Sequence, residues 1–269
     1  MKKWIKGLAI GSVLTLAACG NGDEAENKIV VGASNVPHAE ILEKAVPLLE
    51  EKGYELEIET YQDYILPNQD LDNGDLDANY FQHIPYLELE IADKGYDFVN
   101  AGGIHIEPIG VYSTKYNSLE ELPEGAVILL SSAVPDHGRI LTMLEAEGLI
   151  TLSEDVEKTA ATIDDIVENP KNLEFDYEYE AALLPELFKN GEGDAVLINS
   201  NYALDAGLNP IEDSIAIENS ESPYVNIVAV NSENKENEGI KALVDVLHSQ
   251  EIQDYILEEW GGSVVPVSE

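Results

Sequence analysis

Arginine occurs once in this chain of 269 residues, at Arg139, and cysteine once, at Cys19. A single cysteine excludes an internal disulfide. Basic residues are few, 14 against 53 acidic ones, which leaves a formal net charge of −39. Such a charge excludes nucleic acid and anionic membrane surfaces as electrostatic partners. The acids are spread along the chain instead of gathered in a tail, so they read as a solvated surface. No apolar run reaches the roughly 20 residues that a membrane span needs. Familiar catalytic signatures are missing too: there is no His-Glu-x-x-His, Gly-x-Ser-x-Gly, P-loop or Gly-x-Gly-x-x-Gly. The five histidines, His38, His83, His105, His137 and His248, do not fall at metal-ligand spacings with cysteine. The sequence therefore predicts no cofactor and no resident metal, although zinc held by scattered histidines stays open.

What is present begins with Lys2, Lys3 and Lys6, then a short apolar stretch from Gly7 to Leu16, then Leu16-Ala17-Ala18-Cys19. This is the layout of an export signal, too short to span a bilayer. It predicts a signal over 1–18, with Cys19 as a lipid-bearing terminus after cleavage. Residues 19–27 are polar and read as a tether. Beyond them β-branched runs alternate with amphipathic segments. Strands are predicted at Lys28–Ala33, Tyr54–Tyr61, Ala78–Phe81, Phe98–Ile106, Ile109–Ser113, Ala126–Leu130, Leu173–Phe175, Asp194–Asn199 and Val225–Val230. Helices are predicted at His38–Lys52, Ile84–Lys94, Arg139–Glu147, Glu180–Phe188, Glu238–Ser249 and Ile252–Trp260. That order argues for α/β lobes with largely parallel sheets.

Three places carry candidate chemistry. Arg139 lies in Val-Pro-Asp-His-Gly-Arg-Ile at the start of a predicted helix. Its planar fork matches a carboxylate, and the helix N-terminus would add N–H donors for the same anion. The alternative is an ordinary ion pair with one of the many acids. Asp77-Ala78-Asn79-Tyr80-Phe81-Gln82-His83, followed by Pro85-Tyr86, puts three aromatics and a histidine at a strand-to-helix junction. Such a junction suits a small, partly apolar ligand, or else these rings form a core cluster. Val196-Leu197-Ile198-Asn199-Ser200-Asn201 ends an apolar strand with amides. These read as ligand contacts, or as helix caps in the case of Ser200 and Asn201.

Taken together, several stretches resemble the NlpA lipoprotein family, the methionine-binding lipoproteins of ABC importers. They are Val31-Gly32-Ala33-Ser34 with Pro37-His38-Ala39-Glu40, Leu76 to His83, His105-Ile106-Glu107-Pro108-Ile109-Gly110-Val111-Tyr112-Ser113, Glu147-Gly148-Leu149-Ile150, Glu168 to Leu173, Val196 to Asn199, and Glu221-Ser222-Pro223-Tyr224-Val225-Asn226. The resemblance spans essentially the whole body and implies a two-lobed periplasmic-binding-protein fold (type II) with two crossover strands. Lobe 1 would take 27–110 plus 224–269, and lobe 2 would take 111–223. Arg139 matches the family arginine that grips a ligand carboxylate, and Asn199 and Asn226 match amides around the head group. Tyr80, Phe81, His83 and Tyr86, with Tyr64, match the side-chain pocket.

The implied protein is not an enzyme. It would be a monomer, lipid-anchored through Cys19 on the outer face of the cell membrane. It would bind methionine and deliver it to an importer's permease and ATPase. Another small apolar amino acid or a methionyl dipeptide is the variant reading. An exported hydrolase using Ser34 or Ser132 with His38 or His137, or a scaffold whose Arg139 is only an ion pair, are the readings from other classes. The sequence departs from the family at Ser131-Ser132-Ala133-Val134-Pro135-Asp136, where many members carry Pro-Asn-Asp before the arginine.

Overall fold

A computed structural model describes residues 27–219 and 222–267. The predicted signal at 1–18, Cys19 and nearly all of the predicted tether lie outside these residues. The chain lays down β1 (Lys28–Ser34), α1 (Glu40–Glu51), β2 (Glu55–Tyr61), α2 (Leu66–Asn73), β3 (Ala78–His83), α3 (Ile84–Lys94) and β4 (Phe98–Ile106). It then builds β5 (Gly110–Tyr112), β6 (Val127–Ser131), α4 (Val134–Ala146), β7 (Thr151–Leu152), β8 (Ile166–Glu168) and β9 (Glu174–Tyr179). Next come α5 (Leu184–Lys189), β10 (Ala195–Ile198), α6 (Ser200–Asp205) and β11 (Ala216–Ile217). It returns through β12 (Val225–Asn231), α7 (Glu238–Leu247), α8 (Gln250–Trp260) and β13 (Val265–Pro266).

The fold is two-lobed α/β. One lobe holds a six-stranded sheet in the order β13-β4-β12-β3-β1-β2, the other a five-stranded sheet in the order β11-β5-β10-β6-β9. The chain crosses between them after β4 and again after β11. The sheets are mixed, not largely parallel. β1 runs parallel to β2 and β3, but β12 lies antiparallel between β3 and β4, and β5 lies antiparallel to β10. The crossings are the cause, because the strand that enters each sheet from the other lobe arrives in the opposite direction.

Both sheets pack helices on both faces, so inner strands such as β6 and β10 are apolar at nearly every position, whereas the edge strands β2 and β9 carry exposed acids. In the first lobe, Ile41, Leu42, Ala45 and Leu49 of α1 recur at helical spacing and pack with Leu243 and Leu247 of α7 and Ile252 and Ile256 of α8. The opposite face buries Leu71, Leu87, Phe98 and Ile227. In the second lobe, period two sorts the strands: Ile128, Leu130 and Leu197 face α4, while Leu129, Val196 and Ile198 face α5 and α6.

Helix α4 begins at Val134, five residues before the predicted start at Arg139. Val-Pro-Asp-His-Gly looks like a loop, but proline fits the first turn, where its missing N–H has no helical partner to lose. The helix lies against the turn at Lys158–Ala160. A Cβ added to Gly138 would stand 2.5 Å from the Lys158 carbonyl oxygen and 2.7 Å from that of Thr159. Backbone atoms cannot give way as a flexible side chain can. Gly138→Ala should therefore lower stability by about 1–3 kcal/mol, despite the better helix propensity of alanine. Thermal unfolding checks this, and a rise in Tm would contradict the packing.

Candidate functional site

Arg139 projects from the second turn of α4 into the space between the lobes and is 4% exposed. Its Nε donates to Glu218 Oε2 at 3.0 Å, Nη2 donates to the same oxygen, and Nη2 also donates to the Glu107 carbonyl at 2.6 Å. Glu107 and Glu218 lie on the two crossings, so one guanidinium ties both of them to α4. The ring of Tyr224 lies under the guanidinium, 4.7 Å from centroid to Cζ. Nη1 has Asp136 Oδ1 3.8 Å away. Burial works against the arginine's charge, and Glu218 and Asp136 outweigh it. The expected helix N-terminus for an outside anion is modified by this geometry. Asp136 itself sits in the first turn of α4, where the helix dipole favours its negative charge.

A cavity of about 20 Å³ lies beside Arg139, and Tyr64, Phe81, His83, Tyr86, Asn199 and Asn226 line it. Space of that size holds about one water. An amino acid therefore enters only if the lobes part. Hydrogen bonds that span them include His83 with Asp136 at 3.1 Å, Tyr64 with Asn201 at 2.7 Å, Asn35 with Asp205 at 2.6 Å, and Tyr202 with the Gln62 carbonyl at 3.3 Å. Local structure fixes the first of these. His83 is the N-cap of α3, and its Nδ1 accepts from the Tyr86 N–H at 3.2 Å. In the neutral ring the proton then sits on Nε2, which donates to Asp136 Oδ1. On its other oxygen Asp136 accepts from Asn199 Nδ2 at 3.0 Å. Burial would push the Asp136 carboxyl up, but the His83 bond and charge, Arg139 and Asn199 together hold it below its usual value.

Of the residues singled out from sequence, Arg139, Asn199, Asn226, Phe81, His83, Tyr86 and Tyr64 meet at this cavity, whereas Tyr80 does not line it. Neighbours on a strand project to opposite faces, so Tyr80 enters the core while Phe81 and His83 face the cavity. The Tyr80 hydroxyl donates to His105 Nδ1, which leaves the His105 proton on Nε2 to reach Glu107 at 2.7 Å. Glu107 also lies 3.2 Å from His38 Nε2, which meets Asn226 Oδ1 at 3.1 Å. The Asn226 amide is thus oriented by a buried relay. Asn199, at the N-cap position of α6, makes no capping bond with its side chain, so its amide is spent on the cavity.

Gln82, Ser200 and Asn201, from the candidate stretches, line the cavity as well, and so do Glu107 and Asp136, which were not given a site role from sequence. Glu107 and Asp136 are single acids among 53, and only their burial, 5% and 2% exposed, marks them. The structure also gathers His38, His105 and Glu107 into a buried group whose ligand atoms lie within 4.8 Å of one another. No sequence spacing announces it. The hydrogen bonds just described already occupy these atoms, except His38 Nδ1. His137 Nε2 is bound to the Ser131 carbonyl at 2.8 Å. Among the described residues, no hydrogen bond joins Ser34 or Ser132 to a histidine, so the pairing a hydrolase needs is not made.

A family model described as NlpA lipoprotein matches residues 29–268. The methionine-binding lipoprotein MetQ of Bacillus subtilis (strain 168) is 48% identical over 275 residues, 98% of this chain and 100% of the relative. The D-methionine-binding lipoprotein MetQ of Escherichia coli (strain K12) is 38% identical over 260 residues, 96% and 95% of the two chains. A solved nutrient-binding protein from Burkholderia cenocepacia bound to methionine superposes with a TM-score of 0.84 at 39% identity, covering 89% of this chain and all of that one.

Burial drives the His38 imidazole from 6.5 down to about 4 and that of His105 to about 3. Both stay neutral while the unfolded chain takes up protons near pH 6.5. Their contribution to stability is thus full above pH 6.5 and is lost as pH falls toward 4. Each refused proton is worth about 1.4 kcal/mol per pH unit. Burial pushes the Glu107 carboxyl up, which acts in the opposite sense. Denaturant melts between pH 7 and 4.5 should show His105→Gln with a flatter decline than the unaltered protein, and parallel curves would contradict the buried neutral pair.

Proposed function

We propose, from the premise that this chain belongs to the NlpA lipoprotein family, that it is the substrate-binding lipoprotein of an ABC importer and that its ligand is methionine. The observation that carries this is the buried Arg139 guanidinium, the chain's one arginine, facing an interlobe cavity walled by aromatics and amides. The ligand carboxylate meets Arg139 Nη1, and Asn199 and Asn226 take the rest of the head group. The thioether lies among Tyr64, Phe81 and Tyr86, where sulfur gains from ring edges.

Ligand bridging gives the closed arrangement its advantage over the open one. The importer's permease and ATPase receive the closed form, and no covalent bond changes. The lobes are read as 27–110 plus 224–269 and 111–223. The body is monomeric and held to the outer face of the membrane through Cys19, and no helix among the described residues is long and apolar enough to cross a membrane. Relatives bear names that specify methionine or D-methionine, so both enantiomers belong in the test.

The protein from Gly20 onward, unfolded and refolded to strip carried ligand, is melted with L-methionine, D-methionine, glycyl-methionine and other apolar amino acids. Ligand at 1,000 times its Kd adds about 4 kcal/mol of stability. A methionine-specific rise in Tm that vanishes in Arg139→Ala is expected. No shift with any amino acid would remove the reading.

A further inference from the structure

Beneath the interlobe cavity, three side chains without a ligand role converge on one point. His38 comes from the turn after β1, His105 from β4 and Glu107 from the first crossing. All three are buried. His105 Nε2 stands 2.7 Å and His38 Nε2 3.2 Å from the same oxygen, Glu107 Oε1. One ligand atom from each side chain lies within 4.8 Å of the others. Two imidazoles and a carboxylate are a donor set that zinc takes in proteins, with each donor about 2.0–2.2 Å from the ion. Around one tetrahedral ion such donors stand about 3.4 Å apart, so shifts of less than about an ångström bring both measured pairs to that spacing.

The protons fit as well. A metal takes an imidazole in its neutral form, and burial keeps both rings neutral, His38 with its pKa down to about 4 and His105 to about 3. An ion on the two Nε2 atoms sends each ring's proton to Nδ1. For His105 that nitrogen meets the Tyr80 hydroxyl, the kind of outer partner that steadies a ligating histidine. The Nδ1 of His38 is a buried nitrogen with no hydrogen-bond partner, and its lone pair is free to receive the proton. Charge points the same way. Glu107, Asp136 and Glu218 set three carboxylates around a single guanidinium, that of Arg139. A divalent cation at Glu107 offsets the excess. The way in is the cavity itself, because Glu107 and Asn226 line it and Asn226 Oδ1 meets His38 Nε2 at 3.1 Å.

We propose that His38, His105 and Glu107 form a binding site for a divalent transition-metal ion of the zinc class, entered from the interlobe cavity when the lobes part. Imidazole nitrogens select such an ion over calcium or magnesium, which prefer oxygen. The site does not depend on which amino acid binds above it, since none of the three side chains is assigned to the ligand.

The soluble protein from Gly20 onward, free of any histidine tag and stripped with EDTA, is dialysed against zinc with calcium and magnesium in excess to occupy the exposed acids. One retained zinc per chain is expected. Cobalt in its place should give the strong visible d–d bands of a four-coordinate site. His38→Gln and His105→Gln should each weaken zinc by more than about a hundredfold, and Tyr80→Phe, which removes only the outer partner, by about tenfold to a hundredfold. His248, whose Nε2 bonds the Gly103 carbonyl at 2.7 Å, serves as the control. His248→Gln should bind zinc as the unaltered protein does. No zinc retained against calcium and magnesium, or zinc retained equally by folded His38→Gln and His105→Gln, would overturn the proposal. Should those variants not fold, the cobalt spectrum of the unaltered protein decides: the weak bands of six-coordinate cobalt on surface carboxylates would overturn it as well.

Discussion

The structure turns on one buried cation. A guanidinium removed from water is tolerated only with charge and hydrogen bonds around it, and removing a partner of such a group costs about 3–5 kcal/mol. Arg139 finds its partners on three separate stretches: Glu107 on the first crossing, Glu218 at the second, and Asp136 one turn away on its own helix. Arg139 thus serves the fold and the site together. It joins both crossings to α4, and it lines the interlobe cavity. In a chain with a net charge of −39 there is no shortage of acids to pair with it. The selectivity lies in which acids are buried beside it and which of its nitrogens they leave open.

Strand β3 carries the second constraint. Its alternation sends Tyr80 into the core and turns Phe81 and His83 toward the cavity. Each direction starts a chain of buried polar contacts that ends on a cavity-lining group. From Tyr80 the chain runs through His105, Glu107 and His38 to Asn226. From the α3 N-terminus it runs through His83 and Asp136 to Asn199. The two amides that face the ligand are therefore not free to flip. Their orientation is set from inside the protein, which lowers the ordering that binding must supply.

Much of this was legible in the sequence, for identifiable reasons. Ile84–Lys94 and Phe98–Ile106 were placed to the residue because Pro85 and Gly95 punctuate one and Phe98, Val99, Ile104 and Ile106 mark the two ends of the other. Arg139 stood out because it had no rival of its kind. The start of α4 was missed because proline, aspartate and glycine in succession read as a loop, although proline suits a first turn. Tyr80 was grouped with its neighbours because adjacency in sequence hides the alternation of a strand. Asp136 and Glu107 could not be picked from 53 acids, since what distinguishes them is burial beside a cation, a property of the folded chain. The mixed sheets escaped notice because strand direction after a crossing leaves no mark in composition.

A crystal structure of the protein grown with L-methionine tests the central claim most directly. The account predicts the ligand carboxylate within hydrogen-bond distance of Arg139, the rest of the head group against Asn199 and Asn226, and the thioether among Tyr64, Phe81 and Tyr86. A methionine found with its head group away from Arg139, or bound outside the interlobe cavity while Arg139 keeps only its protein partners, would contradict it.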